Sequence, residues 1–225
     1  MENNEVLLPP GYRLYKLEGN SMIGNGKEDF NVKNRSFLEV DTYFSDEISR
    51  KISELLTKDP DSQIHVLDLA GGTESRAIGE IEKEFGDRVK AINIDIALNT
   101  EKGNEANRIQ GDATHIPLVD SSIDIVYSRQ LLPFILRFNR EHSLQVKKVL
   151  SEVARVLKPG GIAILDDEEE LSGIKSETKR RELATELGVR LESHDSFNNK
   201  RGDRNFPKFW NRGVKREEFL IMTKS

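Results

Sequence analysis

Val66-Leu67-Asp68-Leu69-Ala70-Gly71-Gly72-Thr73-Glu74 is the stretch on which the fold is read. An apolar run ends in an acid, passes through a small-residue turn, and enters a helical pattern from Ser75 to Phe85, closed by Gly86. A second apolar run, Val89–Ile94, follows and ends at Asp95. This strand–turn–helix–strand order places a nucleoside-sized ligand across the carboxyl ends of two adjacent parallel strands.

The same alternation continues outward. A short strand is expected over Asn107–Gln110, before Gly111-Asp112-Ala113, and another over Ile123–Ser128. A helix over Leu144–Leu157 ends at Lys158-Pro159-Gly160-Gly161, and a strand over Ile162–Leu165 follows. A polar helix spans Ser176 to Leu187, closed by Gly188. Val189–His194 and Glu218–Thr223 close the chain without a helix between them, so they read as an antiparallel pair. Upstream, Phe44, Ile48, Ile52, Leu55 and Leu56 recur at helical spacing between Val40 and Leu56, and Asp59-Pro60-Asp61 stops that helix. Residues 1–35 lack sustained periodicity. The expected fold is α/β: a doubly wound, mostly parallel seven-stranded sheet, helices on both faces, and a C-terminal antiparallel strand pair.

Composition narrows the chemistry. The chain has 225 residues, 32% of them charged, and no cysteine, which excludes disulfides, thiolate catalysis and Cys-ligated metal sites. No apolar run approaches the ~20 residues of a membrane helix, and the polar Met1-Glu2-Asn3-Asn4-Glu5 does not read as a secretory signal. Cytoplasmic residence is the plain expectation. A net charge of −5 argues against chain-wide attraction to nucleic acid, while leaving room for a local basic patch. His65, His115, His142 and His194 show no metal-ligand spacing, so no metal is expected.

Four segments together resemble the class I (Rossmann-like) S-adenosylmethionine-dependent methyltransferases: Val66–Thr73, Asn93-Ile94-Asp95-Ile96, Gly111-Asp112-Ala113 with Ile116-Pro117-Leu118 and Ser122–Val126, and Glu152–Gly161. The resemblance runs from about Phe37 to the C-terminus. Residues 1–35, with interspersed glycines and aromatics, read as an N-terminal arm or lid, and the resemblance implies a Rossmann-like methyltransferase domain over residues 36–225. It implies S-adenosylmethionine as cofactor and transfer of a methyl group to an O, N or C nucleophile of a small molecule. Asp68, Ala70, Gly71, Gly72, Asp95, Ile96, Asp112, Ala113 and Ser128 become the cofactor-binding candidates. Within that set, Asp95 suits the ribose hydroxyls, and Asp112 the adenine amino group. Arg129 borders the transfer pocket, and His142 is the histidine best placed for a general base; these two are the catalytic candidates. The family's pattern has glycine where this chain has Ala70 and Glu74. Glu74 either repels the cofactor's carboxylate or pairs with its ammonium.

Other readings compete. A nicotinamide-dependent oxidoreductase needs G-x-G-x-x-G, whereas the chain offers Ala70-Gly71-Gly72-Thr73-Glu74-Ser75. A non-catalytic binding protein would keep the fold with a degenerate cofactor site. A nucleic-acid or protein methyltransferase would use the basic loop 200–216, where Lys200, Arg201, Arg204, Lys208, Arg212, Lys215 and Arg216 interleave with Phe206, Phe209 and Trp210. The acid run Asp166–Glu170 suits a solvated turn or a cationic group. Oligomeric state, monomer or homodimer, is open.

Overall fold

The computed structural model describes residues 13–17, 20–24, 29–31, 35–72, 76–96, 107–129, 131–132, 142–168, 177–195 and 217–225. Glu74, Gln130 and the basic loop 200–216 lie outside the described residues.

A seven-stranded sheet carries the molecule. Its strands are β4 (Ile64–Leu69), β5 (Val89–Asp95), β6 (Arg108–Gln110), β7 (Ile123–Ser128), β8 (Leu157–Glu168), β9 (Val189–Asp195) and β10 (Glu217–Lys224). They lie in the order β6-β5-β4-β7-β8-β10-β9. β10 runs antiparallel to both its neighbours, and the pairs from β6 to β8 are parallel. The strand order reverses at β4, and the carboxyl end of the strand at such a reversal is where open α/β sheets bind ligands. A separate three-stranded antiparallel sheet, β1 (Arg13–Leu17), β2 (Asn20–Gly24) and β3 (Asp29–Asn31), occupies the arm in which the sequence shows no periodicity.

Among the described residues five helices cover the seven-stranded sheet: α1 (Phe37–Tyr43), α2 (Glu47–Lys58), α3 (Arg76–Phe85), α4 (His142–Val156) and α5 (Glu177–Leu187). Two apolar cores divide them. Phe37, Phe44, Ile48, Ile52 and Ile81 of the α1–α3 side pack on Val66, Ala91 and Ile164. Val146, Val149, Leu150 and Val153 of α4, with Leu183 and Leu187 of α5, pack on Leu67, Val126 and Leu165. Period-two alternation sends neighbouring residues of each strand to opposite cores. At β7 the alternation slips: Ile123 and Ile125 enter different cores, where the β7–β8 register shifts.

One expectation fails at the first helices. The run Val40–Leu56 is two helices, broken at Ser45 and Asp46, which adopt φ of 58° and 62°. Buried Asp41 makes the break tolerable. Its Oδ1 accepts the N–H groups of Ile48 at 3.0 Å and Ser49 at 3.2 Å, capping α2 from inside α1. Asp46, the residue at the formal cap position, makes no such bond. α1 itself starts with a reciprocal Ser36–Glu39 capping box, and its Phe37 N–H donates to Glu80 of α3 at 2.7 Å.

Two stability outcomes follow. Asp41→Ala strips α2 of its cap and lowers unfolding stability by about 1–2 kcal/mol, read from the urea midpoint. Ala70, at φ 64°, holds an L-residue in the left-handed region, at a cost of about 1–2 kcal/mol. Ala70→Gly recovers that cost minus roughly 0.5–1 kcal/mol of extra chain entropy, so its thermal midpoint rises.

Candidate functional site

The turn after β4 is fastened to the end of β5. The Gly72 N–H donates to Asp95 Oδ2 at 2.8 Å, Asn93 Nδ2 donates to the Gly72 carbonyl at 2.8 Å, and the Ala70 N–H donates to the Ile94 carbonyl at 2.7 Å. Gly72 has φ 88°. Gly71 is needed for a different reason. A Cβ there would stand 2.2 Å from Asp68 Oδ2 and 2.7 Å from Asn93 Oδ1. The backbone therefore runs directly against two buried polar side chains, a fit that only a missing Cβ allows.

Register explains why these groups meet. Asn93 and Tyr127 both pair with Asp68, on β5 and β7 respectively. The three side chains form a polar row across the sheet, facing the α1–α3 side. Asn93 is fully buried and its Oδ1 has no hydrogen-bond partner. Tyr127 is 1% exposed, and burial, followed by the adjacent Asp68 carboxylate, drives its phenol pKa well above the ordinary value. Its hydroxyl finds no hydrogen bond of ordinary geometry.

Two residues further along, after β7 and on β8, charged side chains follow. Arg129 lies directly after β7, with its guanidinium carbon 4.1 Å from the centre of the Tyr43 ring. Asp166 on β8 is 4% exposed. Arg35 enters from the segment before α1. Burial and the nearby Arg129 cation push its pKa down to about 10, against the pull of Asp166 and Asp68. Two arginines and two carboxylates thus gather over the carboxyl ends of β4, β7 and β8, under α1.

The remaining sequence candidates fall around this centre. Ile96 follows β5, and its carbonyl accepts from Gln110 Nε2 at 3.1 Å. Asp112 closes its own turn: its Oδ1 accepts the Thr114 N–H at 2.8 Å, and its carbonyl the His115 N–H at 2.9 Å. That turn is joined to Asp95 by the Gly111 N–H, which donates to the Asp95 carbonyl at 3.1 Å. Half-buried Ala113 packs beside Ile116 in the α4–α5 core. Ser128 is fully buried, and its Oγ has no hydrogen-bond partner. His142 opens α4, but its side chain lies outside the described residues, as do Glu169 and Glu170.

Sequence reasoning missed Asn93, Tyr127 and Arg35. In the sequence Asn93 stands only as part of a strand end, although an amide two residues before a strand-terminal acid is a usable signal. Tyr127 stands only as part of a strand, and Arg35 belongs to the segment without periodicity. Among the described residues no group of three His, Asp or Glu is arranged to hold a metal.

Residues 67–165 match the family model described as a methyltransferase domain. No curated protein sequence matches the chain. Among solved structures, the CurJ carbon methyltransferase is 16% identical with a TM-score of 0.51, over 86% of this chain and 56% of its own. A Galdieria sulphuraria protein assigned as a sarcosine dimethylglycine methyltransferase is 22% identical with a TM-score of 0.49, over 79% of this chain and 84% of its own. Phosphoethanolamine N-methyltransferase 2 of Haemonchus contortus, solved with S-adenosylhomocysteine, is 16% identical with a TM-score of 0.46, over 78% of this chain and 52% of its own. This chain thus spans about half the length of the first and the third. Over residues 67–165 the chain thus carries a methyltransferase domain, set in the strand order and the fastened glycine turn described above.

Proposed function

We propose that the protein methylates an O, N or C nucleophile of a small molecule, using the crevice between the Ala70–Gly72 turn and Asp95. The observation that carries this reading is the double fastening of Gly72 by Asp95 and Asn93, which fixes a carboxylate and a Cβ-free turn side by side. Such a pairing suits a ribose on one side and an extended chain on the other.

The residues fit the cofactor's parts. Asp95 would hold the ribose, with Ile96 and Ala113 along the base and Asp112 at its edge. The buried orphan atoms Asn93 Oδ1, Tyr127 Oη and Ser128 Oγ lie at or near the carboxyl ends of β5 and β7. Arg35 would meet the methionine carboxylate, and Asp68 its ammonium. The small-molecule reading draws support from the near balance of charge at this mouth, Asp68, Asp95 and Asp166 against Arg35 and Arg129, which gives a polyanion no net attraction.

When bound, S-adenosylmethionine supplies a methyl group on a sulfonium, from which a substrate nucleophile displaces a neutral thioether. The chain's contribution is positioning. Arg129, stacked on Tyr43 and bearing hydrogen-bond donors but no acceptor, is suited to orient the acceptor rather than to take its proton. A proton released by the acceptor would go to a base such as His142, at the start of α4.

Isothermal titration tests the reading. S-adenosylhomocysteine binds and NADH does not. Asp95→Asn weakens S-adenosylhomocysteine by about tenfold to a hundredfold, the range for losing charge-assisted hydrogen bonds. Gly71→Ala abolishes binding. Arg35→Gln weakens S-adenosylhomocysteine while leaving methylthioadenosine, which lacks the amino-acid part, unchanged. Equal binding by wild type and Asp95→Asn would overturn the assignment.

A further inference from the structure

The segment between Asp112 and β7 forms neither helix nor strand, apart from a bridge between Asp112 and His115. Its backbone polar groups need partners, and α4 supplies them through one ion pair. The Ile116 N–H donates to Glu152 Oε2 at 2.8 Å. Arg155 Nη2 donates to the Ile116 carbonyl and Nη1 to the Leu118 carbonyl, each at 2.8 Å. The same guanidinium donates to Glu152 through Nε at 2.9 Å and Nη2 at 2.8 Å, and to Asp120 through Nη1 at 2.7 Å. Arginine has five N–H donors in a fixed fork, and these five bonds use them all. Glu152 and Arg155 are three residues apart, so both leave α4 on one face. The Arg155 hydrogen bond is the largest cause holding the Glu152 carboxyl below its usual range.

From this clamp the path to the crevice is short. Ile116 is 3% exposed and belongs to the same core as Ile94 and Val153. One residue before it, the His115 N–H donates to the Asp112 carbonyl at 2.9 Å. One residue after it, Pro117 lies over Gly111, where a Cβ would stand 3.3 Å from Pro117 Cδ and 3.0 Å from Ile94. Gly111 in turn donates its N–H to the Asp95 carbonyl at 3.1 Å. The segment gripped by α4 therefore packs on the residue that joins Asp112 to Asp95.

We propose that Glu152 and Arg155 are positioning residues for purine recognition, setting from α4 the place of the Asp112 turn so that its carboxylate selects the amino group of adenine over the carbonyl of hypoxanthine. The proposal rests on the cofactor reading above and extends it to two side chains outside the crevice. A carboxylate has two oxygens; the turn uses Oδ1 for the Thr114 N–H at 2.8 Å, and the other meets the base. Hydrogen bonds weaken steeply with misalignment, so a small displacement of the Ile116 backbone costs selectivity. Asp95 keeps its place meanwhile, because β5 is held by parallel pairing with β4 and β6. The ribose contacts therefore survive a change that the base contact does not.

Isothermal titration of the full chain with S-adenosylhomocysteine and with S-inosylhomocysteine tests this. Wild type binds the adenosyl compound at least about tenfold more tightly, the effect of leaving a charged acceptor facing a carbonyl. Arg155→Gln brings that ratio to within about threefold of unity, mainly by weakening the adenosyl compound, as expected when the charge-assisted bonds that align the turn are lost. Glu152→Gln keeps an acceptor for the Ile116 N–H, lowers the ratio in the same direction, and carries the test alone where Arg155→Gln does not fold. Asp41→Ala, a destabilised variant cut far from this segment, keeps the wild-type ratio. Equal affinity of wild type for the two compounds overturns the proposal. So does an undiminished ratio in the Arg155 and Glu152 variants, or an equal fall in Asp41→Ala. Those three outcomes leave the cofactor reading standing, whereas failure of wild type to bind either compound removes that reading and this proposal with it.

Discussion

A single backbone amide organises the cofactor end of this molecule. The Gly72 N–H is held by Asp95, and the Gly72 carbonyl by Asn93, so one residue of the turn is tied twice to the neighbouring strand. Buried amides and carbonyls must find partners, and here the partners are side chains two residues apart on β5. Both face the α1–α3 side because a strand alternates with period two. The hydrogen bonds fix the turn, the turn fixes the crevice, and the absent Cβ of Gly71 lets the backbone lie against Asp68. The rest of the sheet serves to keep β4 and β5 in register.

The charged row beyond that turn shows how burial and charge set one another. Arg35 pays for its burial with a lowered pKa, yet Asp68 and Asp166 keep a cation favourable there. Arg129 lies on the face of Tyr43, which belongs to α1, and α1 is tied to α3 through Glu80. Arg129 and Arg35, proposed above for the acceptor and the cofactor, thus share one roof. That coupling gives a physical reason for both to respond to changes in α1.

Much of this was legible in the sequence, because the signals were local and periodic. β7 lies where an apolar run ends in a polar residue, and its limits agree with those expected, Ile123–Ser128. The break between α1 and α2 was hidden because Phe44, Ile48 and Ile52 keep helical spacing across it, while a remote carboxylate, Asp41, does the capping. β8 starts at Leu157, earlier than expected, because Leu157 already pairs with Ile123 of β7, and the pairing resumes at Ile162 after a register shift across the expected turn. Asn93, Tyr127 and Arg35 gain their meaning from register and tertiary packing, which spacing along one chain does not reveal. The strands of the arm are short, with weak alternation, and pattern reading passes over them.

The most direct measurement is a crystal structure grown with S-adenosylhomocysteine. The account places the adenosine between the Ala70–Gly72 turn and β5, both ribose hydroxyls on Asp95, and the amino-acid end under α1 near Arg35. A ligand seated elsewhere, or a crevice filled by the side chains of residues 73–75, would contradict it.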